Sequence, residues 1–317
     1  MTSNEKQIQK WADVAMFKAA PIDKESGPRV QLLSCNSDPL GTIAAAAKMY
    51  KGEYVETLAQ ITDYERRHYL SDVRKNVLAA PLEFVNFHFI ISGVTRGFTH
   101  QMVRQRTATY TQESTRFAVK EDVPVGYPPS ITGQRMAQEE NWKVVWDDCV
   151  KHIEEAYNSL INSGMPAEDA RGLLPTNLLT RINYNTSLRG LLEHSGLRLC
   201  TQAQFEWRLV WVRMMEAIRD YGATQFYHRP GSVAVGSYWQ FEELSKIFKP
   251  ICYQKGSCQF LSDVDRHCNI RGRVGELASL GIPSSKWGSI EFGERGYKGV
   301  AIKDEEWMLD PAAARIS

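Results

Sequence analysis

Gln101–Phe117 reads QMVRQRTATYTQESTRF. Three arginines, Arg104, Arg106 and Arg116, and one acid, Glu113, stand in a run of hydroxyl and amide side chains: Thr107, Thr109, Thr111, Gln112, Ser114 and Thr115. The segment is too polar for a core and too rich in donors for a plain loop. An arginine fork donates two parallel hydrogen bonds and keeps its charge, so the stretch suits an anion with many oxygen acceptors. Just before it, Phe98, Met102 and Val103 have helical spacing, which predicts a helix over Phe98–Arg106 with Arg104 and Arg106 at its end. Hydroxyl and β-branched residues disfavour helix beyond that point, and the Thr-rich run is read as a loop.

Upstream, Pro81 breaks the chain and Glu83–Ser92, EFVNFHFIIS, predicts a buried strand in which His88 is a core or interface residue. Further back, Val30–Ser34 is strand-like, Asp38-Pro39 makes a turn, the alanines of Leu40–Tyr50 favour helix, and Glu56–Arg74 is a charged helix. Downstream, three prolines make Val123–Ile131 a loop or edge. Gln134–Ser163 predicts a long helix with Trp142, Val145, Trp146, Val150, Ile153, Ala156, Tyr157 and Leu160 on its apolar stripe. A short helix starts at Pro166, Thr176–Tyr184 is strand-like, and Ser187–His194 is a short helix interrupted at Gly196. Leu199–Tyr221 is a longer helix closed by Gly222, and Trp239–Phe248 a further one. These elements predict an α+β domain over residues 29–230, an N-terminal arm over 1–28 and a turn-rich C-terminal extension over 231–317.

The formal net charge of +1 argues against bulk nucleic-acid binding through phosphate attraction while leaving room for a local basic site. The N-terminus is polar, with no signal peptide, and no apolar run is long enough for a bilayer, so the cytoplasm is the expected compartment. The six cysteines are then expected to be reduced. Cys252, Cys258, His267 and Cys268 lack paired CxxC spacing, and structural or free thiols are the favoured reading over zinc. Neither a GxGxxG after a strand nor a P-loop occurs, and Glu113-Ser114 has no histidine nearby in sequence to support a hydrolase triad.

A second cluster gathers Arg171, Arg189 and Arg198. Any one arginine could be a surface ion pair of little energetic consequence. Six in two groups, set among otherwise apolar elements, favour a shared pocket. His194 lies beside Arg198 as a weaker candidate, while Phe205, Trp207, Trp211 and Tyr221 at helical spacing read as core.

The two clusters together resemble the flavin-dependent thymidylate synthases. Arg104-Gln105-Arg106, Ser114 and Arg116 stand where that family has RHR, then after seven residues a serine, and a later arginine. Arg171-Gly-Leu-Leu-Pro175, Ser187-Leu-Arg189, Leu197-Arg198 and Ala203-Gln204 are similar to its second motif. VQLLSCNSDPLGTIAAAAKMY (30–50) and Pro81-Leu-Glu83 are similar to its opening strand, helix and Pro-x-Glu step, so the resemblance spans roughly 30–225. It implies a central antiparallel or mixed sheet with helices, a homotetramer with sites between subunits, and one-carbon transfer from methylenetetrahydrofolate to C5 of dUMP. FAD would supply the hydride and NADPH would reload the flavin.

On that resemblance, Gln101, Arg104, Gln112, Glu113, Ser114, Thr115, Arg116 and Arg171 would hold the nucleotide. Arg198 would face the uracil imide and stabilise charge at N3, as the catalytic group. Glu83, Arg104, Gln105, Arg106, Gln112, Ser187, Arg189 and Glu193 would line the flavin and its phosphates. Gln105 departs from the family histidine, Thr109 from Ser, Thr111 from Asn, Gln112 from Glu, and Ser187 and Glu193 from Asn. The arginines are retained while the residues between them change. These departures motivate a second reading, a UMP or dUMP C5 methylase or hydroxymethylase. A third keeps the scaffold as a nucleotide-binding protein without catalysis. No metal, nucleic acid or membrane is expected.

Overall fold

The computed structural model describes residues 17–18, 21–22, 27–75, 78–120, 122–128, 131, 139–200, 203–227 and 238–251. Cys252, Cys258, His267, Cys268 and nearly all of the predicted C-terminal extension lie outside them. In chain order the strands and helices are β1 (Phe17–Lys18), β2 (Arg29–Cys35), α1 (Pro39–Met49), α2 (Asp63–Lys75), β3 (Asn86–Thr95) and α3 (Arg96–Met102). They continue as β4 (Ala108–Gln112), β5 (Ala118–Val119), α4 (Glu139–Asn162), α5 (Ala167–Ala170), β6 (Leu179–Ser187), α6 (Leu188–Arg198), α7 (Phe205–Tyr227) and α8 (Tyr238–Ser245).

Four strands form a sheet in the order β2-β3-β6-β4, and β1 pairs in parallel with β5. Backbone bonds from Arg96 to Leu178 and from Gly97 to Thr176 descend along one chain while rising along the other, as antiparallel neighbours require. The Glu113 amide donates to the Arg181 carbonyl and the Thr186 hydroxyl to the Thr107 carbonyl, so β4 and β6 are antiparallel as well. The fold is therefore α+β with an antiparallel central sheet.

The chain divides into two compact units: Met1–Gly27, Ser92–Gln101 and Thr111–Ile182 make the first, and Pro28–Ile91, Met102–Tyr110 and Asn183–Ser317 the second. In the first, Val123, Val125, Tyr157, Ala170 and Leu178 form the buried core, with Val150, Leu160 and Ile161 packed on it. In the second, alternate residues of β3 turn inward, so Phe87 and Phe89 are fully buried and stack 6.0 Å apart. Tyr184 of β6 stacks on Phe89, and Tyr110 of β4 on Tyr184. Helix α7 buries Trp207, Trp211 and Ile218, and α8 covers it with Phe241 and Leu244.

Asp38, read as a turn residue, caps α1: its Oδ1 accepts from the Gly41 amide at 2.9 Å, with Pro39 starting the helix. The same carboxylate takes a two-pronged bond from Arg66 of α2, 3.1 and 2.6 Å, which joins the two helices.

Several boundaries differ from the sequence reading. The Thr-rich run is strand β4 over Ala108–Gln112, because the β-branched side chains that disfavour helix also favour a pleated surface. Helix α3 starts at Arg96 and stops at Met102, with the Thr95 hydroxyl accepting from the Phe98 amide at its start. Gly196 does not interrupt α6, which runs to Arg198. On α4, Trp142 and Val145 of the predicted stripe are exposed, and only the C-terminal half meets the core.

Gly222 lies inside α7 rather than closing it. A Cβ there would come within 3.0 Å of Phe241 and 3.2 Å of the Tyr238 backbone. The glycine thus lets α8 approach α7, at a helix-propensity cost of about 1 kcal/mol. Gly222→Ala recovers that propensity but forces the α8 backbone away, and overpacking of this kind costs roughly 1–3 kcal/mol. A net loss of about 1 kcal/mol is expected as a lower urea midpoint; an unchanged or higher midpoint would show that the helices yield freely.

Candidate active site

In the second unit, the segment between α3 and β4 is clipped in place by Gln105. Its Nε2 donates to the Gly190 carbonyl at 3.1 Å, and its Oε1 accepts from the Tyr184 hydroxyl at 2.9 Å. The Tyr110 hydroxyl donates to the Gln105 carbonyl at 3.2 Å. Burial, with Tyr110 alongside, raises the Tyr184 phenol well above its ordinary range, so it remains a donor. Gly190 is needed at this junction: a Cβ would stand 2.4 Å from Thr186 Oγ1 and 3.4 Å from the Gln105 amide nitrogen.

With Gln105 turned inward, its neighbours Arg104 and Arg106 are exposed, and neither has an ion pair or hydrogen bond among the described residues. Arg198 ends α6. Its Nε donates to His194 Nε2 at 3.2 Å, and its guanidinium lies 4.7 Å from the centre of the Trp207 ring. Burial, and then the charge of Arg104, push the Arg198 pKa down. An arginine whose charge is opposed both by burial and by a like charge gains from any anion or electron-rich carbonyl brought to it.

Of the other residues expected on the flavin side, Ser187, Arg189 and Glu193 belong to α6 and its cap. Ser187 is its N-cap, accepting from the Gly190 amide at 3.3 Å. Arg189 holds Glu83 at 2.6 Å and Glu193 at 3.0 Å. The three form one surface cluster, with two acids about one arginine.

The first unit carries the rest of the motif. Glu113 Oε1 accepts from Lys120 Nζ at 2.7 Å and has Arg181 at 3.6 Å. Lys120 is buried and Glu113 largely so, with side chains 4% and 14% exposed. Glu113 is thus engaged in the protein interior, and its second oxygen has no partner there. Ser114 Oγ accepts from the Arg116 amide at 3.1 Å, and Thr115 is buried. Arg116 pairs with Glu168 at 2.8 Å, and Arg171 Nε donates to the Glu168 carbonyl at 3.0 Å. Gln112 donates to the Thr99 hydroxyl at 2.9 Å, on the helix that also carries Gln101. Burial and the nearby charge of Arg171 lower the pKa of Arg96, while Glu113 opposes that effect.

Sequence reasoning missed Arg96, Lys120, Glu168 and Arg181 in this unit and Tyr110 and Tyr184 in the other. Arg96 was detectable as the basic residue ahead of Gly97; the remainder join through the sheet and had no local signal.

The donor set of the second unit fits a flavin: Arg104 and Arg106 offer exposed guanidinium donors, and Ser187, Arg189 and Glu193 at α6, with Glu83 paired to Arg189, add further polar groups. Among the described residues there is no group of three or more metal-ligating side chains, and no helix is long and apolar enough to cross a membrane.

An α+β chain with two arginine-bearing motifs of this kind has the makings of a nucleotide-handling flavoenzyme, and known proteins bear on that class. The chain is 30% identical over 200 residues to the flavin-dependent thymidylate synthase of Geobacter sulfurreducens, covering 62% of this chain and 85% of the relative. It is 37% identical over 194 residues to that of Pyrococcus furiosus, covering 59% and 78%. Among solved structures, the UMP/dUMP methylase PolB of Streptomyces cacaoi, bound with 5-Br dUMP, matches with a TM-score of 0.52 at 19% identity. That match covers 61% of this chain and 90% of the other, and shows the shared fold. Residues 31–221, more than half of the chain, match the thymidylate synthase complementing protein family, and the protein belongs to it as an enzyme of the flavin-dependent type.

Two predictions follow from the charges. Lys120→Met strands the buried Glu113 carboxylate, and breaking a buried pair on one side costs about 3–5 kcal/mol. Chemical denaturation should show a large loss for Lys120→Met and recovery of most of it in Lys120→Met/Glu113→Gln; a small single-variant loss would mean that Arg181 alone suffices.

His194 is pushed down to about 3 from 6.5, first by burial and then by Arg198. Between those values the unfolded chain binds a proton that the folded chain refuses, so this residue's contribution to stability falls as pH drops from 6.5 toward 3. The slope is at most about 1.4 kcal/mol per pH unit. His194→Phe should therefore lose less stability than the parent on acidification through that window, read as urea midpoints against pH. Parallel curves would contradict the buried neutral imidazole.

Proposed function

We propose that the protein methylates C5 of dUMP to give dTMP, using methylenetetrahydrofolate as one-carbon donor, FAD as hydride donor and NADPH as reductant. The observation that carries this reading is the ordered pair of arginine motifs, Arg104–Arg116 and Arg171–Arg198, in which the charge of Arg104 opposes that of Arg198. Such like charges are destabilised alone and relieved by an anion. The names of the relatives and the bound nucleotide of the structural neighbour support a uracil nucleotide as that anion.

In this reading Arg116 and Arg171 bind the nucleotide phosphate, with Arg104, Gln101, Gln112, Ser114 and Thr115 positioning the sugar and base. Arg198 meets the uracil imide and stabilises negative charge at N3, which makes C5 more nucleophilic. Arg106, Arg189 and Ser187 would hold the flavin with Glu83 and Glu193, and Gln105 orients this group from behind rather than through a contact of its own. The bound flavin supplies the hydride that completes the methyl group. The catalytic domain spans 29–230, and the assembly is a homotetramer.

The purified protein should carry FAD absorbance and form dTMP from dUMP in the presence of methylenetetrahydrofolate and NADPH. Arg198→Ala should lower turnover by about 10²–10³-fold, the scale of removing one preorganised donor, with an unchanged far-UV circular dichroism spectrum. Colourless protein that takes up no FAD would reject the proposal, and near-normal turnover of Arg198→Ala would reject the role of that residue. Mass analysis of products from dUMP and UMP in parallel distinguishes thymidylate synthesis from the UMP and hydroxymethyl alternatives.

A further inference from the structure

We propose that His194 is a positioning residue that aims the Arg198 guanidinium at the uracil ring. The inference rests on the role given to Arg198 under the proposed function. The two residues are one helical turn apart on α6, so their side chains share a face. The arginine can only donate through Nε, so the 3.2 Å bond requires a bare Nε2 on His194 and places the ring proton on Nδ1.

The imidazole is itself held firmly. It is buried, and its ring stands edge-on to Trp207 at 4.8 Å and 74°, and to Trp211 at 6.2 Å and 77°. Trp207 also lies under the guanidinium at 4.7 Å. Arg198 is thereby constrained at its Nε edge by a bond and on one face by an indole. Those two restraints limit how far the guanidinium can turn about its own stem.

The orphaned proton distinguishes this role from that of an ordinary core histidine. His194 Nδ1 is buried and has no hydrogen-bond partner among the described residues. A core histidine is usually satisfied at both nitrogens, and a phenyl ring would fill the same space without an unpaired N–H. What a phenyl ring cannot supply is the acceptor for Arg198. The arrangement is therefore unfavourable for stability and useful for orientation, as expected of a group retained for function.

The test compares His194→Phe and His194→Gln with the parent, by calorimetric binding of dUMP and of deoxyribose 5-phosphate, which lacks the base. His194→Phe should weaken dUMP about tenfold, a loss of one well-oriented hydrogen-bonding group, while deoxyribose 5-phosphate changes less than about twofold. Its melting temperature at neutral pH should be no lower than the parent's. His194→Gln, whose amide oxygen reaches the place of Nε2, should keep dUMP affinity within about threefold.

Unchanged dUMP affinity in His194→Phe, or equal weakening of both ligands, overturns the positioning role while leaving the functional reading intact. A parent protein that binds neither ligand overturns that reading and this inference together. Should His194→Phe fail to fold, His194→Gln against His194→Asn asks the same question, since only glutamine reaches the Nε2 position. Gln binding dUMP more tightly than Asn supports the role, and equal affinities overturn it.

Discussion

The candidate site depends on one side-chain amide. Gln105 joins the arginine-bearing segment to β6 through the Tyr184 hydroxyl and to α6 through the Gly190 carbonyl. Both ends of the amide are used, so the residue cannot swing outward without leaving a buried phenol and a helical carbonyl short of a partner. Gln105 faces inward between two turns, and Arg104 and Arg106 on either side of it are exposed. Gly190 completes the arrangement, since any side chain there would collide with Thr186. The amide offers one acceptor and one donor, matched to one hydroxyl and one carbonyl.

Electrostatics separates the acidic residues of the motifs into two kinds. Glu113 is buried against Lys120, where a lost partner is expensive, and it acts as part of the scaffold. Glu83, Glu193 and Glu168 are half-exposed and pair with arginines that a ligand could compete for. Exposed pairs of this sort contribute little to stability and can exchange partners at small cost. The acid at position 193 is therefore paired with Arg189 rather than left as a free negative charge. The half-buried arginines differ again. Arg198 and Arg96 remain charged against burial and against neighbouring cations, a strain that binding of an anion would relieve.

Much of this was legible in the sequence because it is local. Proline at 39 and 81, the alanines of α1, the aromatic alternation of β3 and the order of the two arginine motifs all speak through near neighbours. The reading failed where one local rule excluded a helix without choosing between loop and strand, as at Ala108–Gln112. It failed again at Gly222 and Gly196, where glycine reports on what packs against the helix and not on where the helix ends. Trp142 and Val145 continue the helical periodicity of α4 but lie exposed, so periodicity overstated the reach of the core.

The sequence by itself determined the α+β class, the family and the order of its two arginine motifs. Those follow from residue types at fixed spacings, and spacing is a property of the chain. Only the tertiary structure decided which partners those residues take: Gln105 locked to Tyr184 and Gly190, Glu113 withdrawn to Lys120, and Arg198 held between His194 and Trp207. Gln105 and Tyr184 are 79 positions apart. Hydrogen bonds and charge act over a few ångströms, so which of two amides or acids binds ligand and which builds the wall behind it is settled by folding.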